Sequence, residues 1–403
     1  MAKRSVLLSE AFKDFLANEQ ASSVILILCT IGSLIVANTA FGPDYIGFWH
    51  GYIGPLTVEL WINDLLMAIF FLLIGLELKR ELYDGELSSA KQAMLPIFAA
   101  IGGIIAPAAI HFAFNQGTST QAGIGIPMAT DIAFALGAIS LLGNRVPASL
   151  KVFLVALAVM DDLGAIIVIA IFYTAELHFG YLLGAFTIIA FLGVLNRLKV
   201  MSMVPYLLLG CLAWYMMFRS GVHATIAGVL LSFTIPFKHS HPGNNSPSSV
   251  LESMLHKPVA FLILPIFALA NTGIIIDSAW STELREPNSL GIMIGLVIGK
   301  PIGITLASFT VVAAGLCRLP LDLNWKHIFG AGLLGGIGFT MSIFITNLAF
   351  TGDVRMITES KMAILLASAV AGIIGFTWLH FMGAPNPDDT NLDTMDFDDS
   401  DDE

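Results

Sequence analysis

A chain of 403 residues, 56% of them hydrophobic and only 12% charged, is far more apolar than an ordinary soluble domain, in which about a quarter of residues are charged. The formal charge of −11 arises at one end, because nine of the 30 carboxylates lie in the last sixteen residues and the rest sets 21 acids against 19 bases. A nearly neutral, apolar body offers nothing to a nucleic acid and points to the bilayer as its solvent.

Residues 1–21 form a mixed amphipathic segment, and the apolar run after it lacks a small-residue cleavage site, so the first span is expected to stay in the protein. A hydrocarbon core of about 30 Å needs about 20 apolar residues to cross. Twelve stretches qualify, some short or broken: 22–41, 58–78, 94–114, 121–142, 149–174, 181–196, 203–218, 222–237, 257–275, 289–313, 327–349 and 359–382. The fold class read from them is an all-α polytopic membrane protein in a single transmembrane domain, 1–382. The acidic remainder, 383–403, has too few apolar residues to order itself and is expected to be a disordered cytoplasmic tail. Cys29, Cys211 and Cys317 have neither paired nor metal-ligand spacing, so no disulfide framework or zinc site is expected.

Lysine and arginine set the orientation. With the amino terminus inside, fourteen of them (Lys3, Arg4, Lys13, Lys79, Arg80, Lys91, Arg145, Lys151, Arg197, Lys199, Lys238, Lys257, Arg318 and Lys326) face the cytoplasm, against Arg219, Arg285, Arg355 and Lys361 outside. Both termini are therefore expected in the cytoplasm. The fourth span carries Gly123, Gly125 and Pro127, and the eleventh carries Gly330, Gly332, Gly335, Gly336 and Gly338. Lipid tolerates such backbone only where it is buried in protein or lines a cavity. Each broken span is the middle of a three-helix group, 3–5 and 10–12, and seven spans separate the groups, which inverts the second. Paired interruptions in inverted halves point to a transporter site at the midplane, although glycine also serves simple close packing of membrane helices.

Ionisable residues within the spans are Glu59, Asp64, Glu77, Asp131, Asp161, Asp162 and Lys300, with His111 and His223. A charge at the bilayer centre costs at least about 2.5–3.5 kcal/mol on insertion scales, which makes each a functional candidate. Asp131, Asp161, Asp162 and Lys300 fall at the centres of their spans, whereas Glu59, Asp64 and Glu77 lie near span ends. Neighbours on a helix diverge by about 100°, so Asp161 and Asp162 border one cavity from different directions, one facing an ion and the other a counter-charge such as Lys300. Two close carboxylates in a poorly hydrated place do not both ionise easily. A site that is either protonated or cation-occupied is what antiport requires. Sodium is hard and takes oxygen ligands, which Asp162, Asp131, Thr130 and carbonyls of the broken span can offer. Asp131 and Lys300 also suit compensation of the positive and negative ends of broken helices.

GLELKREL at 75–82, PMATDIAFALG at 127–137, LKVFLVALAVMDDLGAIIVIA at 150–170, SGVHATIAG at 220–228, LILPIFALANTG at 262–273, IGKPIGI at 298–304 and GIGFTMSIFI at 336–345 closely resemble the NhaA-type sodium/proton antiporters, over residues 9–382. The resemblance implies inverted repeats with two crossing interrupted helices. It also implies electrogenic exchange in which protons enter as Na⁺ or Li⁺ leaves, active at alkaline pH, in the bacterial inner membrane. Asp162 is then the principal cation and proton site, Asp161 its neighbour coupled to Lys300, and Thr130 and Asp131 the broken-helix site residues. Glu77, Arg80, Glu252 and His256 match a cytoplasmic pH-sensing cluster, with His223 a modulator. Ser253 stands where relatives can place a histidine beside the glutamate, which bears on the pH set point. A homodimer through FGPDYIGFWHGYIG after the first span is a further implication, and no cofactor is expected beyond the transported ions.

Three other classes are weaker. A proton-coupled organic-anion carrier needs cations for its substrate, whereas the midplane holds three acids against one lysine. An intramembrane aspartyl protease needs aspartates sharing a proton, and no Gly-x-Gly-Asp precedes Asp131 or Asp162. A channel needs weak or multi-ion binding, which deep paired carboxylates oppose.

Overall fold

The computed structural model describes residues 10–384 apart from 86, 174–176, 239–245, 277 and 279, so the first nine residues and the tail from 385 lie outside the described residues. The described chain is almost wholly helical, as lipid demands of a backbone that must satisfy its own polar groups. Among the described residues nine helices are long and apolar enough to cross a membrane, or ten when a bent pair counts as one span.

In chain order the helical segments that make up the spans are α1 (Glu10–Ala37), α2 (Met67–Asp84), α3 (Ala90–Asn115), α4 (Ile132–Leu141), α5 (Ala148–Phe172), α6 (Phe179–Arg197), α7 (Val204–Ser220) and α8 (Thr225–Thr234). The series continues with α9 (Pro247–Pro258), α10 (Leu264–Asn271), α11 (Pro287–Ile294), α12 (Lys300–Ala313), α13 (Trp325–Gly335), α14 (Phe339–Ala349) and α15 (Val354–Met382). Single π turns at Ile62–Leu66, Val259–Ile263 and Gly295–Gly299 lead into α2, α10 and α12. The last of these sets the rotation at which Lys300 leaves its helix.

Two spans differ in extent from the reading above. Span eight, read as 222–237, is a helix of only ten residues. The Lys79 ammonium ends it by donating to the carbonyls of Ser232 (3.3 Å), Phe233 (3.1 Å) and Ile235, a lysine meeting the negative end of a helix. Span nine, read from 257, starts ten residues earlier, at Pro247, because the Ser246 side chain accepts the Ser249 amide at 3.2 Å, a serine cap before a first-turn proline. Polar residues in PSSVLESMLHKP hid that helix from an apolar count. Between the first two spans, residues 42–57 form a short helix, Gly42–His50, and a two-residue antiparallel ribbon pairing Tyr52 with Thr57 and Ile53 with Leu56.

The two interruptions meet. The fourth span runs as a 3₁₀ segment, Ser119–Met128, then extended backbone, then α4; α13 and α14 are bent by 48° across residues 336–338. The Asp131 amide donates to the Ile337 carbonyl at 2.6 Å, and the Ser342 hydroxyl to the Ile126 carbonyl at 2.7 Å, so each break supplies partners to the other. Beside them α3 and α12 pack backbone to backbone. A Cβ added at Gly102 would lie 2.2 Å from the Gly303 carbonyl oxygen, and one at Gly303 2.2 Å from that of Gly102. Gly303→Val is therefore expected to cost about 1–3 kcal/mol or more by overpacking, read as a fall in the melting temperature of the detergent-solubilised protein.

Candidate functional site

Asp131 stands where two positive helix ends converge. Its side chain caps α4, accepting the Phe134 amide at 3.1 Å, and takes the Thr340 amide at 3.0 Å together with the Thr340 hydroxyl in the first turn of α14. One buried carboxylate thus offsets the amino-terminal partial charge of both half-helices, and its oxygens are largely occupied in doing so. Thr340→Val removes one hydrogen bond to a charged group, a loss of about 1.5–3 kcal/mol. The expected result is a lowered melting temperature with the protein still monodisperse.

The opposite, negative ends are served by Lys300 and Thr130. The Lys300 ammonium donates to the Met128 carbonyl, which ends the 3₁₀ segment, and pairs with Asp161 at 2.8 Å. The Thr130 hydroxyl lies 2.6 Å from Asp161 Oδ2 and 2.9 Å from the Gly335 carbonyl at the end of α13. It has one proton to donate, so at any moment its lone pairs and one of these acceptors remain for another donor or a cation.

Asp161 and Asp162 project from the middle of α5 and are both fully buried, as are Thr130 and Lys300, with Asp131 2% exposed. The two adjacent carboxylates differ completely in company. Asp161 is held by Lys300 and Thr130; among the described residues neither oxygen of Asp162 has a hydrogen-bond partner. A buried carboxylate left so is costly unless it binds a proton or a cation. Gly103 on α3 packs against Ile304, whose Cγ1 a Cβ there would approach to 3.0 Å.

Glu77, Arg80, Glu252 and His256 also come together, but elsewhere. Arg80 on α2 pairs with Glu252 on α9 and, at 3.0 Å, with Glu81; His256 Nδ1 lies 3.8 Å from Glu77. A pocket lined by Phe70, Glu77, Ile132, Leu136, His256 and Leu264 runs from this cluster to the first residue of α4, next to Asp131. His223 is in neither group: its Nε2 donates to the Tyr173 carbonyl at 2.6 Å, at the end of α5. Of the other ionisable groups in the spans, Glu59 meets His50 at 3.3 Å near the surface, and buried His111 meets Asn288 at 3.2 Å.

Thr340, Ser342 and Tyr173 were not singled out above, nor were the amides Asn63 and Asn271, both buried, and Asn347, partly buried. Asn271 donates to Asn63 at 2.9 Å and accepts from Asn347 at 2.6 Å, joining α10 and α14 to the π turn before α2. Thr340 and Ser342 were findable as hydroxyls in the first turn after a glycine-rich break; a neutral amide in an apolar run carries no comparable signal.

The sequence model of the Na⁺/H⁺ antiporter 1 family matches residues 13–379. The chain is 64% identical to a Dechloromonas aromatica protein named Na⁺/H⁺ antiporter NhaA, over 94% of this chain and 98% of the relative. It is 59% identical to a Cytophaga hutchinsonii protein of the same name, over 92% of this chain and 95% of that one. A Helicobacter pylori protein so named is 46% identical, over 92% and 95%. With a multi-pass helical membrane fold and relatives of this identity along nearly the whole length, the chain belongs to the Na⁺/H⁺ antiporter family of NhaA type and is a transporter, not an enzyme.

Proposed function

We propose that the protein exports Na⁺ or Li⁺ in exchange for protons, electrogenically and at alkaline pH, by alternating access to a site built on Asp162 and Asp161. The observation that carries this reading is the contrast within the pair: Asp161 is neutralised by Lys300, while buried Asp162 has neither oxygen partnered among the described residues. Asp162 then alternates between a proton and a cation. Thr130, whose hydroxyl proton goes to Asp161 or Gly335, offers its lone pairs to the ion beside Asp162, and Asp131 acts chiefly in holding the two half-helices. Cation entry beside Asp161 weakens its hold on Lys300, which gives a second place for a proton to leave. Protons inward in excess of sodium outward move net charge, and the membrane potential then drives export.

On this reading α7 and α8, of 17 and ten residues, complete twelve spans in inverted repeats, both termini are cytoplasmic, and the broken spans four and eleven cross at the site. The Glu77–His256 pocket is then the cytoplasmic approach in the inner membrane, and Glu77, Arg80, Glu252 and His256 set the pH response, with His223 modulating it. His256→Ala is expected to shift the pH profile and leave maximal exchange in place, since imidazole titrates near neutrality and lies outside the midplane constellation; loss of exchange at every pH in a folded protein would count against this.

The experiment is cation-induced collapse of an imposed pH gradient in vesicles carrying the purified protein. Na⁺ and Li⁺ are expected to collapse it, and K⁺ and Ca²⁺ to leave it. Acceleration by a membrane potential set with potassium and valinomycin tests electrogenicity. No response to Na⁺ at any pH between 6 and 9, about the range over which histidine and raised carboxylates titrate, would refute the proposal.

A further inference from the structure

We infer that Tyr173 is a positioning residue that fixes the width of the cation site and thereby its discrimination between ions of different size. The inference rests on the reading of Asp162 and Thr130 as the cation site.

The 3₁₀ segment Ser119–Met128 is weakly self-sufficient backbone near the site, because i→i+3 geometry gives poorer hydrogen bonds than an α-helix, and lipid offers no substitute. Ser342 and Lys300 serve its site end, at Ile126 and Met128; one side chain serves its middle. The Tyr173 hydroxyl accepts the Gly125 amide at 3.1 Å and donates to the Ala122 carbonyl at 2.7 Å. Gly125 is matched to this clamp, since a Cβ there would lie 2.7 Å from the Tyr173 oxygen.

The clamp acts on the site because of where Tyr173 stands. It follows the last residue of α5, the helix that carries Asp161 and Asp162, about 16 Å along the axis from Asp162 at 1.5 Å per residue. The clamped segment leads in the same way to Met128, about 12 Å on from Ala122 at 2 Å per residue, and from there to Thr130. The two elements are thus joined at both ends: by Thr130 to Asp161 at 2.6 Å, and by Tyr173 to Ala122 and Gly125. A strut pinned at two points holds the Thr130 oxygen at a set distance from Asp162; pinned only at the site end, it can tilt. Tyr173 is itself anchored, since its carbonyl accepts from His223 Nε2 at 2.6 Å, which fixes the imidazole tautomer and ties the junction between α7 and α8 to the same point.

Selection between small hard cations rests on cavity size, ligand number and rigidity. Loosening one ligand-bearing element should therefore alter apparent affinity and the preference among ions more than the turnover of bound ion.

The test measures KM and maximal rate for Na⁺ and Li⁺ in vesicles at fixed pH for the wild type, Tyr173→Phe, Gly125→Ala and His223→Ala. Tyr173→Phe keeps the ring and removes both hydrogen bonds; the expected result is a rise in KM for Na⁺ of about fivefold, a changed ratio of the Li⁺ to the Na⁺ KM, and a maximal rate within about twofold of wild type. Gly125→Ala displaces the same hydroxyl from the other side and is expected to shift the ratio in the same sense, which keeps the test available if one variant folds poorly. His223→Ala combined with Tyr173→Phe is expected to be less than additive, as for residues acting on one element. An unchanged KM ratio in folded Tyr173→Phe and Gly125→Ala overturns the inference, as does a loss confined to the maximal rate. Absence of Na⁺ exchange in the wild type would instead defeat the functional proposal beneath it.

Discussion

Asp162→Asn is expected to abolish Na⁺-dependent collapse of a pH gradient while leaving the protein folded and inserted. The substitution preserves shape and one oxygen but removes the charge that compensates a bound cation and the group that carries the proton. Removing one partner of a desolvated charge pair costs 2–5 kcal/mol or more, so cation affinity alone should fall by at least about 30-fold, and loss of the proton-carrying group adds to this. Stability should not suffer, because neither Asp162 oxygen has a hydrogen-bond partner among the described residues and a neutral amide is easier to bury than a carboxylate. An unchanged or raised melting temperature beside absent exchange is thus the signature of a binding group. Asp131, whose oxygens cap two half-helices, should show the converse, with Asp131→Asn lowering stability. Near-normal exchange in a monodisperse Asp162→Asn protein would reject the assignment.

How much of this was legible in the sequence depends on whether the information is local. Apolar runs announce membrane helices, and Gly125, Pro127, Gly336 and Gly338 announce irregular backbone within them, because each acts on its own segment. The candidate residues could likewise be named as rare charges in apolar surroundings. Their partners could not. That Lys300 meets Asp161 and Met128, that Thr130 turns its proton to Asp161 or Gly335, and that Asp131 serves α14 as well as α4 are contacts between residues far apart in the chain. The π turn Gly295–Gly299 that orients Lys300 reads as ordinary helix in an apolar pattern. The same holds for α8, cut short by Lys79 from another helix, and for Tyr173, which looks like an interfacial aromatic at a helix end until the segment it clamps is seen.

Lys300→Gln is expected to lower both thermal stability and the charge moved per transport cycle. Glutamine reaches nearly as far and can still donate to the Met128 carbonyl, so the end of the 3₁₀ segment keeps a partner. What it cannot do is neutralise Asp161, which lies 2.8 Å from the ammonium and is fully buried with it. Breaking a buried pair from one side costs about 3–5 kcal/mol because the remaining charge is uncompensated, and Asp161 offsets only part of that cost by taking up a proton. If Asp161 keeps that proton throughout the cycle, cation entry no longer releases a charge from Lys300, and exchange that survives at Asp162 approaches electroneutrality. Currents on a solid-supported membrane, measured beside tracer Na⁺ flux in the same preparation, should show flux reduced and the ratio of charge to sodium reduced further. A helix-compensating lysine with no part in coupling gives a different pair of results, a lowered melting temperature and an unchanged ratio. The two roles separate because stability responds to the Asp161 ion pair whatever the mechanism, whereas the charge ratio responds only if that pair opens and closes with each sodium ion.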